Sequence, residues 1–268
     1  MKIIQISDVH LIPENDELFG EDPAERLRLC IDHVQQYHSD ADLCVFTGDL
    51  THSGEADAYH VLAKYVRNLS MPVRLLMGNH DDRVAFRAAF PHAPVDSDGF
   101  IQAVFDCDAG RMVFVDTLEP GTPAGRLCDT RLRWLDRMLA GAGDRAVYLF
   151  SHHPPFDIAF PTMDWIGLAD TDAQALRRII TQYGNVKHMF AGHVHRPCAG
   201  TWHGIPFTTT RGTNHQHELD MHRTEGYATT IMEPPGYVVA QIRDSGIVVH
   251  FQDFLETPRR YPYVPAAN

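Results

Sequence analysis

Lys2-Ile3-Ile4-Gln5-Ile6-Ser7-Asp8-Val9-His10 opens the chain with a short apolar run that ends on a carboxylate and an imidazole two positions apart. Such a run, bounded by turn-forming side chains, reads as a buried strand. The same grammar returns four times. Residues 43–47 lead into Gly48-Asp49, 73–77 into Gly78-Asn79-His80-Asp81, 146–150 into Ser151-His152-His153-Pro154-Pro155, and 186–190 into Gly192-His193-Val194-His195. Stretches of helical periodicity separate these runs. Pro23–His38 carries Leu27, Cys30, Ile31 and Val34 at helical spacing, with Asp22 as N-cap, Pro23 at the first helical position and Glu25 completing a capping box. Residues 55–69, 82–90, 130–139 and 173–183 read as further helices, and 100–105 and 112–116 as further strands. Strands alternating with helices predict an α/β layered fold. Every polar block falls just past a strand's C-terminal end, the edge at which open α/β sheets bind ligands.

After Cys198 the pattern turns to strands, at 207–210, 227–232, 237–242 and 247–251, with Asp244-Ser245-Gly246 as a hairpin turn. No repeat or linker divides the 268 residues, so one domain over 1–268 is expected. Residues 226–254 would then be a β extension that either widens the sheet or pairs across an oligomer. The C-terminal stretch with Pro258, Pro262 and Pro265 reads as a surface tail.

Composition narrows the function. The chain is 44% hydrophobic and 22% charged, an ordinary globular balance, with a net charge of -12 and a pI near 5.7. That acidity argues against a partner that is a nucleic-acid polymer or an anionic membrane, since either calls for a basic face. Cys30, Cys44, Cys107, Cys128 and Cys198 are widely spaced without a C-x-x-C pair, which fits free thiols in a reducing compartment rather than disulfides or a thiolate metal site. With no apolar segment of signal-peptide or membrane-spanning length, a cytoplasmic location is expected.

Histidine is abundant, at 17 residues, so placement matters more than number. Asp8 and Asp49 offer carboxylates, Asn79 an amide oxygen, and His10, His152, His193 and His195 imidazoles. These donors are too many for one tetrahedral ion and suit two ions that share a carboxylate. Nitrogen and oxygen donors without sulfur favour manganese, iron, cobalt or zinc over calcium or magnesium. In extended chain, the spacing of two in Asp8/His10 and His193/His195 would point both members of a pair the same way. Strand-end capping is the competing reading of Asp8, Asp49 and Asn79, and the recurrence of all five blocks in one chain weighs against it. His153 reads as a structural hydrogen-bonding residue or an exposed one. His33, His38, His52, His60, His92, His188, His203 and His250 read as surface or boundary residues.

In its order D-x-H, G-D, G-N-H-D, H-H-P-P and G-H-x-H, the set resembles the calcineurin-like metallophosphoesterases. Within them it resembles the bacterial class III cyclic-nucleotide phosphodiesterases and their glycerophosphodiesterase relatives, from Ile3 to about His215. The resemblance implies the metallo-dependent phosphatase fold, a four-layer α-β-β-α sandwich of two mixed sheets. It implies one ion on Asp8, His10 and His195, a second on Asn79, His152 and His193, and Asp49 as the bridge. A hydroxide shared by the two ions would attack the phosphorus of a small phosphodiester. His80 would contact the phosphate and protonate the leaving oxygen, with Asp81 expected to orient its ring. Gly212-Thr213-Asn214-His215-Gln216 resembles a Gly-Thr-x-His-Gln segment of the glycerophosphodiesterase relatives, which would bring His215 to the substrate beside Asn79 and His80. A homo-oligomer, dimer or larger, is also implied.

Charge favours a diester within this reading. Two divalent ions, two carboxylates and a hydroxide leave about +1, which a phosphodiester monoanion neutralises and a monoester dianion overshoots. Specificity would come from 156–172, with Phe156, Phe160, Met163 and Trp165, and from 213–225, with His215, His217 and His222. The aromatic side chains could equally pack as stack on a base. The alternatives are a phosphomonoesterase or phosphoprotein phosphatase on the same site, a nuclease that would need a basic surface, and a non-enzymatic metal-bound scaffold that would be expected to have lost a ligand or His80.

Overall fold

The computed structural model describes residues 1–14 and 16–255, so the tail expected around Pro258, Pro262 and Pro265 lies outside the described residues. In chain order the first half contains β1 (Lys2–Ile6), α1 (Pro23–His38), β2 (Leu43–Phe46), α2 (Ala56–Val66), β3 (Val73–Leu75), α3 (Arg83–Ala89), β4 (Ala103–Cys107), β5 (Gly110–Val115) and α4 (Asp129–Ala140). There follow β6 (Val147–Ser151), α5 (Pro161–Asp164), α6 (Asp170–Tyr183), β7 (Val186–Ala191), β8 (Ala199–Trp202) and β9 (Ile205–Thr209). Two-residue β10 (Gln216–His217) and β11 (Thr230–Ile231) pair with each other, and β12 (Gly236–Arg243) and β13 (Gly246–Asp253) close the described chain.

Two mixed sheets result. One has the order β13-β12-β1-β2-β3 and the other β4-β5-β6-β7-β9-β8. β1, β2 and β3 run parallel, as do β5, β6, β7 and β9. Side chains alternate along each strand between two faces, and the chain fills both with apolar groups. Ile3, Leu43, Val45, Val238 and Ala240 meet Met112, Phe114, Phe150 and Phe190 between the sheets. Ile4, Ile6, Cys44 and Phe46 turn outward onto Leu27, Ile31, Tyr59, Leu62 and Phe86 of α1, α2 and α3. Val113, Val147, Leu149 and Met189 turn outward onto Trp134, Leu135, Leu176 and Ile180 of α4 and α6. The layers are therefore helix, sheet, sheet, helix. No helix among the described residues is long and apolar enough to cross a membrane.

Local signals explain most boundaries. Asp22 caps α1 by accepting from the N–H groups of Ala24 and Glu25. Glu25 does not close a capping box; its carboxylate turns to Arg28 one turn on. The strand expected at 227–232 shrinks to Thr230–Ile231, since the neighbouring loop offers a partner only at Gln216–His217. The expected strand at 100–105 shifts to Ala103–Cys107, while β8 and α5 fall where the sequence reading assigns no element. Residues 237–242 and 247–251 become the longer β12 and β13, joined across Asp244-Ser245 and paired through β12 to β1, so this segment widens the first sheet.

Candidate metal centre

Parallel strands bring their C-terminal ends to one edge, and the five polar blocks meet there. Loops after β1 and β2 run side by side, with the N–H of Asp8 on the carbonyl of Gly48 (3.1 Å) and that of His10 on the carbonyl of Asp49 (2.9 Å). Gln5 Nε2 reaches across the sandwich to the carbonyl of Ala191 (2.9 Å), fixing one sheet's ligand loops against the other's.

The side chains of Asp8 and His10 converge, and those of His193 and His195 border one cavity, but not through extended chain. Asp8 (φ 53°), His10 (48°), Asp49 (49°), His193 (71°) and His195 (50°) all adopt the left-handed region. Non-glycine residues enter it at a cost of about 1–3 kcal/mol, and such strain concentrates at functional sites. Five of the eight described non-glycine residues with positive φ are candidate ligands, which marks the edge as the strained part of the chain. The glycines make room for ligands. A Cβ on Gly48 (φ 95°) would sit 2.5 Å from Nδ1 of His152, and one on Gly78 would run into the Asp49 carboxylate.

All seven candidate ligands come together. Asp8, His10, Asp49 and His195 offer ligand atoms within 4.8 Å of one another. Nε2 of His10 lies 3.1 Å from Nε2 of His195 and 3.6 Å from Oδ2 of Asp49. On the other side of Asp49, Nε2 of His152 is 3.4 Å from the same Oδ2, 3.1 Å from Oδ1 of Asn79 and 3.3 Å from Nδ1 of His193. Asp8 accepts the N–H of His193 at Oδ1 (3.0 Å), while its buried Oδ2 has no hydrogen-bond partner. Lone pairs that face lone pairs, and a buried carboxylate oxygen left unpaired, are what a cation satisfies. The residues present fit a metal centre.

Hydrogen bonds behind the site orient the rings. Nδ1 of His152 donates to the carbonyl of Thr47 (2.8 Å) and Nδ1 of His195 to that of His215 (2.8 Å), which turns each Nε2 inward as a lone pair. Burial holds His10 and His193 well below the ordinary imidazole range and His195 at about 4, so these rings are neutral, the form that ligates. Burial would raise the Asp49 carboxyl, but His152, His80 and His10 around it hold it low. Burial opposes a proton on His152, yet Asp49 raises it to about 9, marking a place where a cation competes with a proton. Burial raises Asp8 to about 7.

The expected contact from Asp81 to His80 is not made. Asp81 accepts from the N–H groups of Gly78 (2.8 Å), Leu50 (3.1 Å) and Thr51 (3.1 Å) and from the hydroxyl of Tyr59 (2.9 Å). It ties the Asp49 loop to the Asn79 loop, and burial with Asp49 nearby pushes it up to about 6. Nδ1 of His80 donates instead to the carbonyl of His52 (2.6 Å). His52, read from the sequence as background, stands in the site, stacked on His80 with ring centroids 5.2 Å apart. Its only signal was its place in the Asp49 loop. His153 has both ring nitrogens engaged, with Thr117 Oγ1 (2.8 Å) and the carbonyl of Pro123 (3.1 Å).

Beside the ligands lies a cavity of about 210 Å³, lined by His80, His215 and His217 together with Phe19, Met163, Ile166 and Tyr227. His215 packs against His10 and His195, with ring centroids 4.8 and 4.5 Å apart. Burial pushes His215 and His217 far down, so both meet the cavity as neutral rings. From 156–172 only Met163 and Ile166 line it. Phe156 stacks on Phe207 (3.7 Å) in the outer core, and Phe160 supports Met163 from below. Trp165 is 54% exposed at the rim against Tyr227, and His222 is exposed.

A family model described as "Calcineurin-like phosphoesterase" matches residues 1–197. Over 258 residues the chain is 40% identical to a "Probable cyclic nucleotide phosphodiesterase" of Rhodopseudomonas palustris, covering 95% of this chain and 93% of the relative. It is 28% identical over 266 residues to the "Probable glycerophosphodiester phosphodiesterase GpdQ" of Arcobacter nitrofigilis, covering 98% of this chain and 97% of that one. Among solved structures, a dimetal phosphatase from Danio rerio shares the fold at 17% identity, with a TM-score of 0.70 over 95% of this chain and 96% of its own.

Proposed function

Because the chain belongs to the calcineurin-like phosphoesterases, we propose that it hydrolyses small phosphodiesters of the cyclic-nucleotide or glycerophosphodiester class, using two divalent ions of manganese, iron, cobalt or zinc. The observation that carries the reading is the place of Asp49 Oδ2, 3.6 Å from His10 Nε2 and 3.4 Å from His152 Nε2, between two groups of inward ligand atoms. Asp8, His10 and His195 would hold one ion, Asn79, His152 and His193 the other, and Asp49 both. When bound, such ions polarise phosphoryl oxygens and lower the pKa of a water to near neutral.

The protein's own groups do the rest. With Nδ1 committed to the His52 carbonyl, His80 has Nε2 left for the substrate; we assign it the phosphate contact and the proton delivered to the leaving oxygen. Asn79 and His215 border the same space and hydrogen-bond the ester. Phe19, Met163, Ile166 and Tyr227 enclose the ester arm and limit water around the reacting phosphorus. Asp81 acts at one remove, by holding the Asp49 and Asn79 loops together. The site accepts a monoanion because the ions outweigh Asp8 and Asp49, whatever the net charge of the whole chain.

Chelated protein should lose turnover of cyclic AMP, glycerophosphodiesters and bis-aryl diesters, and regain it with manganese. Diesters should exceed the matching aryl monoester in kcat/KM. A strong preference for the monoester would make the protein a phosphomonoesterase instead. Self-association through 226–254 belongs to the same proposal, since β13 is an edge strand with Val248 and Phe251 exposed. Light scattering tests it, and a monomer removes it.

A further inference from the structure

His10 differs from His152 and His195 in what holds it. His152 and His195 give their Nδ1–H to backbone carbonyls, those of Thr47 and His215. Nδ1 of His10 has a side chain as its partner, Nδ1 of His52 at 3.3 Å. Both residues are fixed by their backbones. The N–H of His10 bonds the carbonyl of Asp49 (2.9 Å), and the N–H of His52 bonds that of Leu11 (2.8 Å).

Proton bookkeeping then leaves one arrangement. Nε2 of His10 faces Asp49 and His195 and must be a lone pair to ligate. A neutral His10 therefore carries its proton on Nδ1, where burial demands an acceptor. His52 can accept only if its own proton sits on Nε2. We propose that His52 is the residue that fixes His10 in its metal-ligating tautomer, and that the strength of the Asp8/His10/His195 site is set in part from outside it. This rests on His10 being a ligand.

Two substitutions separate the acceptor from the ring. His52→Asn keeps an acceptor, Oδ1, at the position of Nδ1. His52→Phe keeps the ring on His80 and the backbone carbonyl that His80 uses, and loses the acceptor. Metal-free protein titrated with zinc by calorimetry should show one site weakened about 10–100-fold in His52→Phe, the range typical of a lost partner behind a ligating histidine. His52→Asn should stay within about 3-fold of wild type. Wild-type affinity in His52→Phe would overturn the proposal, and weakening in His52→Asn alone would make the ring's packing the cause. Equal weakening in both would overturn it too, because the acceptor retained in His52→Asn would then count for nothing. Nitrogen-15 spectra of zinc-loaded wild-type protein, labelled at histidine, test it without any variant. A proton on Nε2 of His52 is expected, and one on Nδ1 excludes an acceptor there. His10→Ala keeps the two failures apart: if it binds both ions like wild type, the ligand assignment falls first.

Discussion

His80 and Gly78 stand within one short loop and should fail in different ways. His80→Ala removes a ring that packs edge-on against His10 (ring centroids 4.7 Å apart) and hydrogen-bonds the carbonyl of His52 but is not one of the seven candidate ligands. Metal content should therefore be unchanged while kcat falls about 10²–10⁴-fold. Metal analysis beside steady-state kinetics checks this, and wild-type turnover in a metal-replete sample would end the assignment. Gly78→Ala does the reverse, because its Cβ drives into the Asp49 carboxylate; metal content should drop together with activity. At this scale the sequence displays donors well. Asp8, His10, Asp49, Asn79, His152, His193 and His195 announce themselves by type and spacing. It hides what orients them. A carbonyl acceptor such as Thr47 or His215 has no side-chain signature, and a left-handed Asp or His looks like any other. That is why Asp81 reads as the partner of His80 when the acceptor is the main chain of His52, and why His52 reads as background.

Between the sheets, Phe114, Phe150 and Phe190 lie in register on β5, β6 and β7, with ring centroids 5.2 and 4.7 Å apart along the row. Phe150 is fully buried in this row, and Phe150→Ala should cost about 3–5 kcal/mol in urea unfolding with little change in KM. A loss below about 1 kcal/mol would mean that the layers can close over the gap. The row was legible as apolar runs with strand length, and the parallel order followed from the intervening helices. The short elements were not. α5, β8, β10 and β11 have too few residues for a period to show, and their partners decide them. The 156–172 segment illustrates the consequence: its aromatics looked alike in sequence, yet Phe156 went to the core and Trp165 to the rim beside Tyr227. Exposed at 54% and 60% and tilted 46° to each other, the two rings offer an apolar surface next to the cavity. Trp165→Ala should raise KM for diesters with an aromatic arm about 3–10-fold, as a lost aromatic contact of roughly 0.5–1.5 kcal/mol implies. KM for glycerophosphodiesters should hold; an equal rise for both would make Trp165 a packing residue.

The whole molecule adds a property that no single element has. Asp8, His10, Asp49 and Asn79 belong to loops of one sheet, whereas His152, His193 and His195 belong to loops of the other, so a bound ion fastens the two halves of the sandwich at one edge. Without it that edge holds five left-handed ligand residues, two buried carboxylates and inward-facing lone pairs, all unfavourable. Binding to the folded chain alone therefore has to appear as stability. At a free metal concentration 100-fold above Kd, each ion contributes about 2.7 kcal/mol. For a chain of this size 1 kcal/mol moves Tm by roughly 2–4 °C, so chelation should lower Tm by about 5–10 °C per ion. The shift should climb with the logarithm of added manganese or zinc. Asp49→Ala should flatten that dependence more than the loss of any one imidazole, because its Oδ2 lies between the two groups of candidate ligands. A Tm that ignores both metals over a thousandfold range in wild-type protein would mean that neither ion binds, and the hydrolytic reading would lose its chemistry.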